Sequence, residues 1–194
     1  SLVSSIYMAN KNGVSENLEE NSETYSLLKE DEKYGVTNSK EEVVIEPRYD
    51  EIIIPNPNRA VFLCKNGEES KVINAKNEEI FKKYQNVEAI KLENIISEKA
   101  VYERNVLKYE KDGKYGLLDM SGEEVVKPKY DEISSLGYKQ GEILVKEEDK
   151  YGILDSQGNT IIRTIFDSIQ SDQYYTEQDG YEKSGYIVCE TTED

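Results

Sequence analysis

Lys114-Tyr115-Gly116-Leu117-Leu118-Asp119 returns 36 positions later as Lys150-Tyr151-Gly152-Ile153-Leu154-Asp155, and this pair decides the fold. An earlier copy reads Lys33-Tyr34-Gly35-Val36-Thr37-Asn38. Fifteen positions beyond each Tyr stands another aromatic, which opens Tyr49-Asp50-Glu51-Ile52, Tyr130-Asp131-Glu132-Ile133 and Phe166-Asp167-Ser168-Ile169. Between the first and last pairs lies an eroded copy, Ser70-Lys71-Val72-Ile73-Asn74, followed by Glu78-Glu79-Ile80-Phe81 and then Tyr84-Gln85-Asn86-Val87 with one residue missing. The Asp or Asn anchors fall at 38, 74, 119 and 155, in steps of 36, 45 and 36. A period of this length marks supersecondary units that bury their apolar faces by stacking on their neighbours.

Residues 142 to 166 show the local chemistry of one unit. Glu142 to Lys146 reads as a strand, Glu147-Glu148-Asp149 as a turn, Tyr151 to Asp155 as a second strand, Ser156-Gln157-Gly158 as a turn, and Thr160 to Ile165 as a third strand. The turn ahead of Tyr115 contains Asp112-Gly113, a hairpin signal because Gly accepts positive φ at little steric cost. Asp119-Met120-Ser121-Gly122 and Asp155-Ser156-Gln157-Gly158 place a carboxylate where it can bond turn amides, and Gly where left-handed φ is needed. Asn77 tolerates that position in the eroded copy, whereas Glu41 in the first copy is a costlier departure. Period-2 alternation gives the Tyr-Gly strand apolar side chains on both faces, so it belongs inside a stack, and the bare Gly suits an aromatic ring lying over it from an adjacent strand. Tyr115 and Tyr151 are read as aromatic plates of the core. Pro47 and Pro128 fix φ and end the third strand ahead of two of the Tyr-Asp-Glu-Ile segments.

The expected architecture is all-β: tandem three-stranded antiparallel meanders of about 36 residues, stacked as an open array or a closed ring. The expected division is a single repeat domain over 1–194, with 1–33 the back half of a preceding repeat, repeats at 34–69, 70–114, 115–150 and 151–183, and 184–194 the start of a following repeat or a tail. Ile (18) and Val (14) together far outnumber Leu (12), and fifteen Tyr add to the strand-forming excess. Helix is expected in no more than about a tenth of residues, with 88–105 the stretch where a short helix could intrude.

The pattern Lys-Tyr-Gly-x-x-Asp, then Gly-Glu-x-Val-Val-x-Pro-x-Tyr-Asp-Glu-Ile, resembles the WG containing repeat family, whose unit runs Lys-Trp-Gly, an Asp, a Gly turn, a Val/Ile strand and Pro-x-Tyr-Asp. Three clear units and one weak one carry the resemblance over most of residues 25–170, with Tyr34, Tyr115 and Tyr151 in place of the family's Trp. The resemblance implies a tandem β-repeat domain of the kind common in bacterial proteins. It implies a binding or scaffolding role, with no catalytic residues to carry over.

Composition excludes several chemistries. The chain has no His, so a Ser/His/Asp triad, a Cys/His dyad and a His-ligated metal site cannot be built. With 24 Lys and Arg against 40 Asp and Glu the net charge is −16, which repels nucleic acid and anionic surfaces. The longest apolar run, Ala60-Val61-Phe62-Leu63-Cys64, is far short of the roughly 18 residues of a membrane-spanning helix. Cys64 and Cys189 show no metal-binding spacing and read as free, small apolar residues. The recurrent Asp50-Glu51 and Asp131-Glu132 pairs are the best candidates for carboxylate catalysis, yet their repetition favours solvated or turn-capping roles over a hydrolase centre. Asp119-Met120-Ser121-Gly122-Glu123-Glu124 lacks the alternating ligands of a calcium loop.

Tyr138, Tyr174, Tyr175 and Tyr181 lie instead in loop segments rich in Gln, Gly and Asp, where a rigid scaffold presents recognition residues. These four are the candidate binding residues, with no cofactor and no metal. The expected partner is a protein of neutral or basic surface, and the alternative is a cell-envelope glycan. Neither nucleic acid nor direct membrane insertion is expected.

Overall fold

The computed structural model describes residues 4–9, 15–20, 23–177, 180–181 and 187–190. Every regular element among them is a β-strand, and 88–105 holds no helix. A hairpin of β1 (Ser4–Ala9) and β2 (Ser15–Glu20) comes first. Sheet I is formed by β3 (Ser26–Glu30), β4 (Lys33–Thr37) and β5 (Val43–Tyr49). Sheet II follows with β6 (Glu51–Ile53), β7 (Phe62–Asn66), β8 (Glu69–Ile73) and β9 (Glu79–Ile80). After β10 (Gln85–Lys91) and the two-residue β11 (Ile95–Ile96) come β12 (Tyr102–Lys111), β13 (Lys114–Asp119) and β14 (Glu124–Tyr130), and sheet III joins β10, β12, β13 and β14. Sheet IV holds β15 (Glu132–Ser135), β16 (Ile143–Glu147), β17 (Lys150–Leu154) and β18 (Thr160–Phe166). Sheet V pairs β19 (Ser168–Ser171) with the later β22 (Ile187–Glu190), while β20 (Tyr175–Thr176) and β21 (Gly180–Tyr181) join β11.

The three-stranded meander is therefore present in sheets I to IV, and sheets II, III and IV add a fourth strand that the expected unit lacks. The residues after each Tyr-Asp or Phe-Asp do not leave the array: Glu51–Ile53, Glu132–Ser135 and Ser168–Ser171 become the first strand of the next sheet. Of Lys183-Ser184-Gly185-Tyr186-Ile187, read as the first strand of a following repeat, Ile187 begins β22 and the other four lie outside the described residues.

Four apolar clusters fill the gaps between successive sheets. Val36, Ile45, Phe62 and Ile73 join I to II, and Val61, Val72, Leu107 and Met120 join II to III. Val106, Leu117, Ile143 and Val145 join III to IV, and Ile153 with Ile169 joins IV to V. This is the stacked array in which each sheet covers its neighbour, and among the described residues no sheet closes into a barrel. Cys64 is buried between sheets I and II, where burial pushes its thiol up to about 12, and it does not pair with Cys189.

The repeated glycine has a harder reason than an overlying ring. A β-carbon on Gly116 would stand 2.5 Å from the Val126 carbonyl oxygen and 2.9 Å from the Pro128 nitrogen, as well as 2.9 Å from the Tyr109 ring. Gly35 and Gly152 are crossed by the third strand in the same way, at Ile45 to Pro47 and Ile162 to Thr164. The ladder is irregular at each crossing, so a bulge in the third strand brings its main chain onto the bare α-carbon. Pro47 and Pro128 sit within that bulged strand, which runs on to Tyr49 and Tyr130 rather than ending at the prolines.

Tyr115 and Tyr151, read as core plates, pack against the core clusters from their margin. Tyr34, Tyr115 and Tyr151 are half-buried, each with Lys29, Lys108 or Lys146 over its ring at 5.6, 5.3 or 5.5 Å. Their cross-strand partners Tyr49 and Tyr130 are the buried rings, and Phe166 is half-buried in the last copy.

The turn after the Tyr-Gly strand is built alike four times. Oδ1 of Asn38, Asn74, Asp119 and Asp155 accepts the main-chain N–H groups two and four residues on, at 2.8–3.0 Å. The residue three positions after each anchor is left-handed: Glu41 at φ 61°, Asn77 at 60°, Gly122 at 81° and Gly158 at 83°. A β-carbon there costs about 1–2 kcal/mol, part of which glycine's freedom in the unfolded chain offsets. Glu41→Gly should therefore stabilise the protein by about 0.5–1 kcal/mol in urea titration. A lower midpoint would count against the strain at Glu41.

Candidate functional site

The recurrent carboxylates come first, because they were the candidates for chemistry. Asp50 receives the Lys33 ammonium on one oxygen and the Gly67 N–H, at 2.8 Å, on the other. Asp131 likewise receives Lys114 and the Glu148 N–H, at 3.1 Å, and Asp167 pairs with Lys150. The hydrogen bond from the Lys of its own repeat holds Asp50, and equally Asp131, below the usual carboxylate range. Each of these two aspartates also fastens the hairpin turn of the following sheet. Lys in Lys-Tyr-Gly and Asp in Tyr-Asp are thus two ends of one inter-sheet staple. Glu51 and Glu132 stay exposed, and Glu132 lies 3.8 Å from Lys146. Among the described residues no three acidic or Cys side chains converge on a metal-sized position.

The loops that follow the first strand of sheets III, IV and V converge in a different way. The Glu93 N–H donates to the Gly137 carbonyl at 3.2 Å, and the Tyr175 N–H to the Asn94 carbonyl at 2.9 Å. The Asn94 amide in turn donates to the Ser171 carbonyl at 3.0 Å. Ile95 and Ile96 of β11 run parallel to Tyr175 and Thr176 of β20, and Tyr175 stands opposite Tyr181 of β21.

Three of the four tyrosines read from the sequence come together here. The rings of Tyr138 and Tyr175 lie 6.1 Å apart at an interplanar angle of 34°, with Tyr174 adjacent in the chain. Tyr174 is 43% exposed and Tyr175 36%. The Tyr181 side chain lies outside the described residues. Ile96 is 65% exposed, the most open large apolar side chain among the described residues, and loop composition does not select it. A two-residue apolar doublet after Asn94 is too short for any periodicity to register, so only its pairing with β20 reveals it.

Beneath this edge, Glu103 of β12 is fully buried. Its two carboxylate oxygens accept the Gly141 N–H at 2.9 and 3.2 Å. Gln140 bonds the Arg104 N–H and the Tyr102 carbonyl, so both neighbours of Glu103 hold the loop that carries Tyr138. Loss of solvent pushes the Glu103 carboxyl up to about 7, the Glu142 charge adds to this, and the Gly141 N–H opposes it.

The edge thus offers aromatic and aliphatic surface on three tied loops, one of them held by the buried Glu103. Residues 34–62 and 115–151 match the WG containing repeat family, each match starting on the Tyr of a Lys-Tyr-Gly strand. No curated protein and no solved structure matches the chain.

Proposed function

We propose that the chain, whose residues 34–62 and 115–151 match WG containing repeats, is a non-catalytic binding module that docks a protein partner on the edge formed by Tyr138, Tyr174, Tyr175 and Ile96. The observation that carries this reading is the convergence of loops from three successive sheets. Tyr174, Tyr175 and Ile96 are exposed there beside the half-buried Tyr138, and Tyr gives large contact area at low entropic cost. The double variant Tyr174→Ser, Tyr175→Ser should abolish capture of partner proteins from source-cell fractions, read by mass spectrometry, with the melting temperature retained. Capture at the wild-type level would sink the reading.

The same exposed rings favour a second reading, a neutral envelope glycan stacked on tyrosine. Salt separates the two. A basic protein partner is steered by the −16 charge, so its association rate should fall steeply between low and physiological salt, while glycan affinity should stay nearly flat.

A further inference from the structure

We propose that the eroded copy of the repeat is an open strand-pairing slot, which takes an extended segment of another protein in which an aromatic residue is followed by Lys or Arg. In the intact copies the main chain of Tyr34, Tyr115 and Tyr151 pairs with Tyr49, Tyr130 and Phe166 of the third strand. The next residue is the aspartate that returns to the repeat's own lysine. In the eroded copy Glu69, Ser70 and Lys71 stand where those copies have Lys, Tyr and Gly.

The third strand fails there for a visible reason. A side chain on Lys71 occupies the place where the other third strands cross a bare α-carbon. β9 is two residues long where β5, β14 and β18 have seven, and it pairs β8 only through Val72 and Ile73. Phe81, at φ 59°, then turns the chain away, and its ring sits against Gly122. Tyr84, the aromatic of this copy, packs on Tyr109 with ring centroids 4.9 Å apart. Ser70 is left exposed, with no strand residue opposite it on that side among the described residues. A cleft of about 300 Å³ opens beside it, lined by Lys71, Ile80, Phe81, Tyr84 and Val87 among others.

The occupant follows from what is absent. Two rings of the intact Tyr-Tyr pair are missing at Ser70, so an incoming aromatic has both space and an open main-chain partner. The charge of the staple is reversed, because Glu69 replaces the lysine that receives Asp in the intact copies. Lys71 lies 3.0 Å from Glu69 and Lys82 also lines the cleft, but Glu68 and Glu79 bring the carboxylates there to three against these two ammonium groups. A cation after the aromatic is therefore favoured. A second copy of the chain is disfavoured, since each copy carries −16. The slot is separate from the Tyr138–Tyr175 edge, so either can fail without the other.

The test uses the isotope-labelled full chain and three capped peptides, Thr-Val-Tyr-Lys-Val, Thr-Val-Tyr-Asp-Val and Thr-Val-Ser-Lys-Val. The first should give saturable amide shifts confined to Glu69–Val72 and Ile80–Val87, with a dissociation constant of roughly 1 mM. The other two should bind at least about tenfold more weakly. Glu69→Lys should reverse the order of the Tyr-Lys and Tyr-Asp peptides. Ser70→Pro, which removes the open N–H, should abolish binding, and the exposed Glu69 exchange keeps the test decisive if that variant does not fold. Equal affinities, shifts at the Tyr138–Tyr175 edge instead, or no saturable shift up to about 10 mM would overturn the proposal. Self-association without peptide that Ser70→Pro removes would overturn it in favour of a second copy.

Discussion

Gly116→Val is expected to lower the urea midpoint far more than Gly141→Val, by about 3 kcal/mol or more against about 1–2. At Gly116 the new β-carbon meets main chain, the Val126 carbonyl and the Pro128 nitrogen, which cannot rotate away as a side chain can. The bulged third strand must lift, and it carries its own buried Tyr130 away from the core that Leu117 shares. At Gly141 a β-carbon meets nothing within 4 Å, so the cost is only that of a branched residue at φ 77°. Equal midpoints would mean that the crossing over Gly116 does not hold the sheet together.

Stability should also fall as pH rises through neutrality, by an amount traceable to Glu103. Its carboxyl titrates at about 7 in the folded chain against 4.5 when unfolded, so folding favours the protonated form. That contribution is full below the unfolded value and is lost as pH rises toward the folded one. Between pH 5 and 8 the wild type should lose about 2.5 kcal/mol relative to Glu103→Gln, whose amide can still accept the Gly141 N–H. Asp50, Asp131 and Asp155 are shifted the other way and act at lower pH, which is why the difference from the variant is the quantity to measure. Parallel urea titrations of the two proteins at pH 5, 6.5 and 8 give it, and a constant difference would show that Glu103 is not desolvated.

Gly116, Asp119 and Gly122 were legible in sequence because each answers a local demand: a close approach, an amide pair and a left-handed turn. The fourth strand was not, because Glu132-Ile133-Ser134-Ser135 shows its partner only once Val145 and Leu144 lie beside it. Which ring of each pair lies deeper was illegible for the same reason. Tyr115 and Tyr130 stand opposite each other, and nothing in their shared chemistry says that Tyr130 is the one covered and Tyr115 the one left under Lys108. At the candidate site the loop composition singled out Tyr138 and Tyr175, but their contact spans distant loops and rests on the pairing of Ile95 with Tyr175. Glu103 gave no signal at all, since its burial is imposed by Gly141 and Gln140 of the next unit.

The staple aspartates have a mechanical consequence. β5 ends at Tyr49 and β6 begins at Glu51; β14 ends at Tyr130 and β15 begins at Glu132; β18 ends at Phe166 and β19 begins at Ser168. A single residue, Asp50, Asp131 or Asp167, is all the slack between those sheets, and its carboxylate is tied as well. Tension along the array cannot separate them without first tearing a ladder. Between β9 and β10 the link is residues 81–84, four residues long and held by ring packing at Phe81 and Tyr84 rather than by an aspartate. The stack is therefore stiff at three joints and compliant at one, and a load applied at its ends is felt first at the junction of sheets II and III.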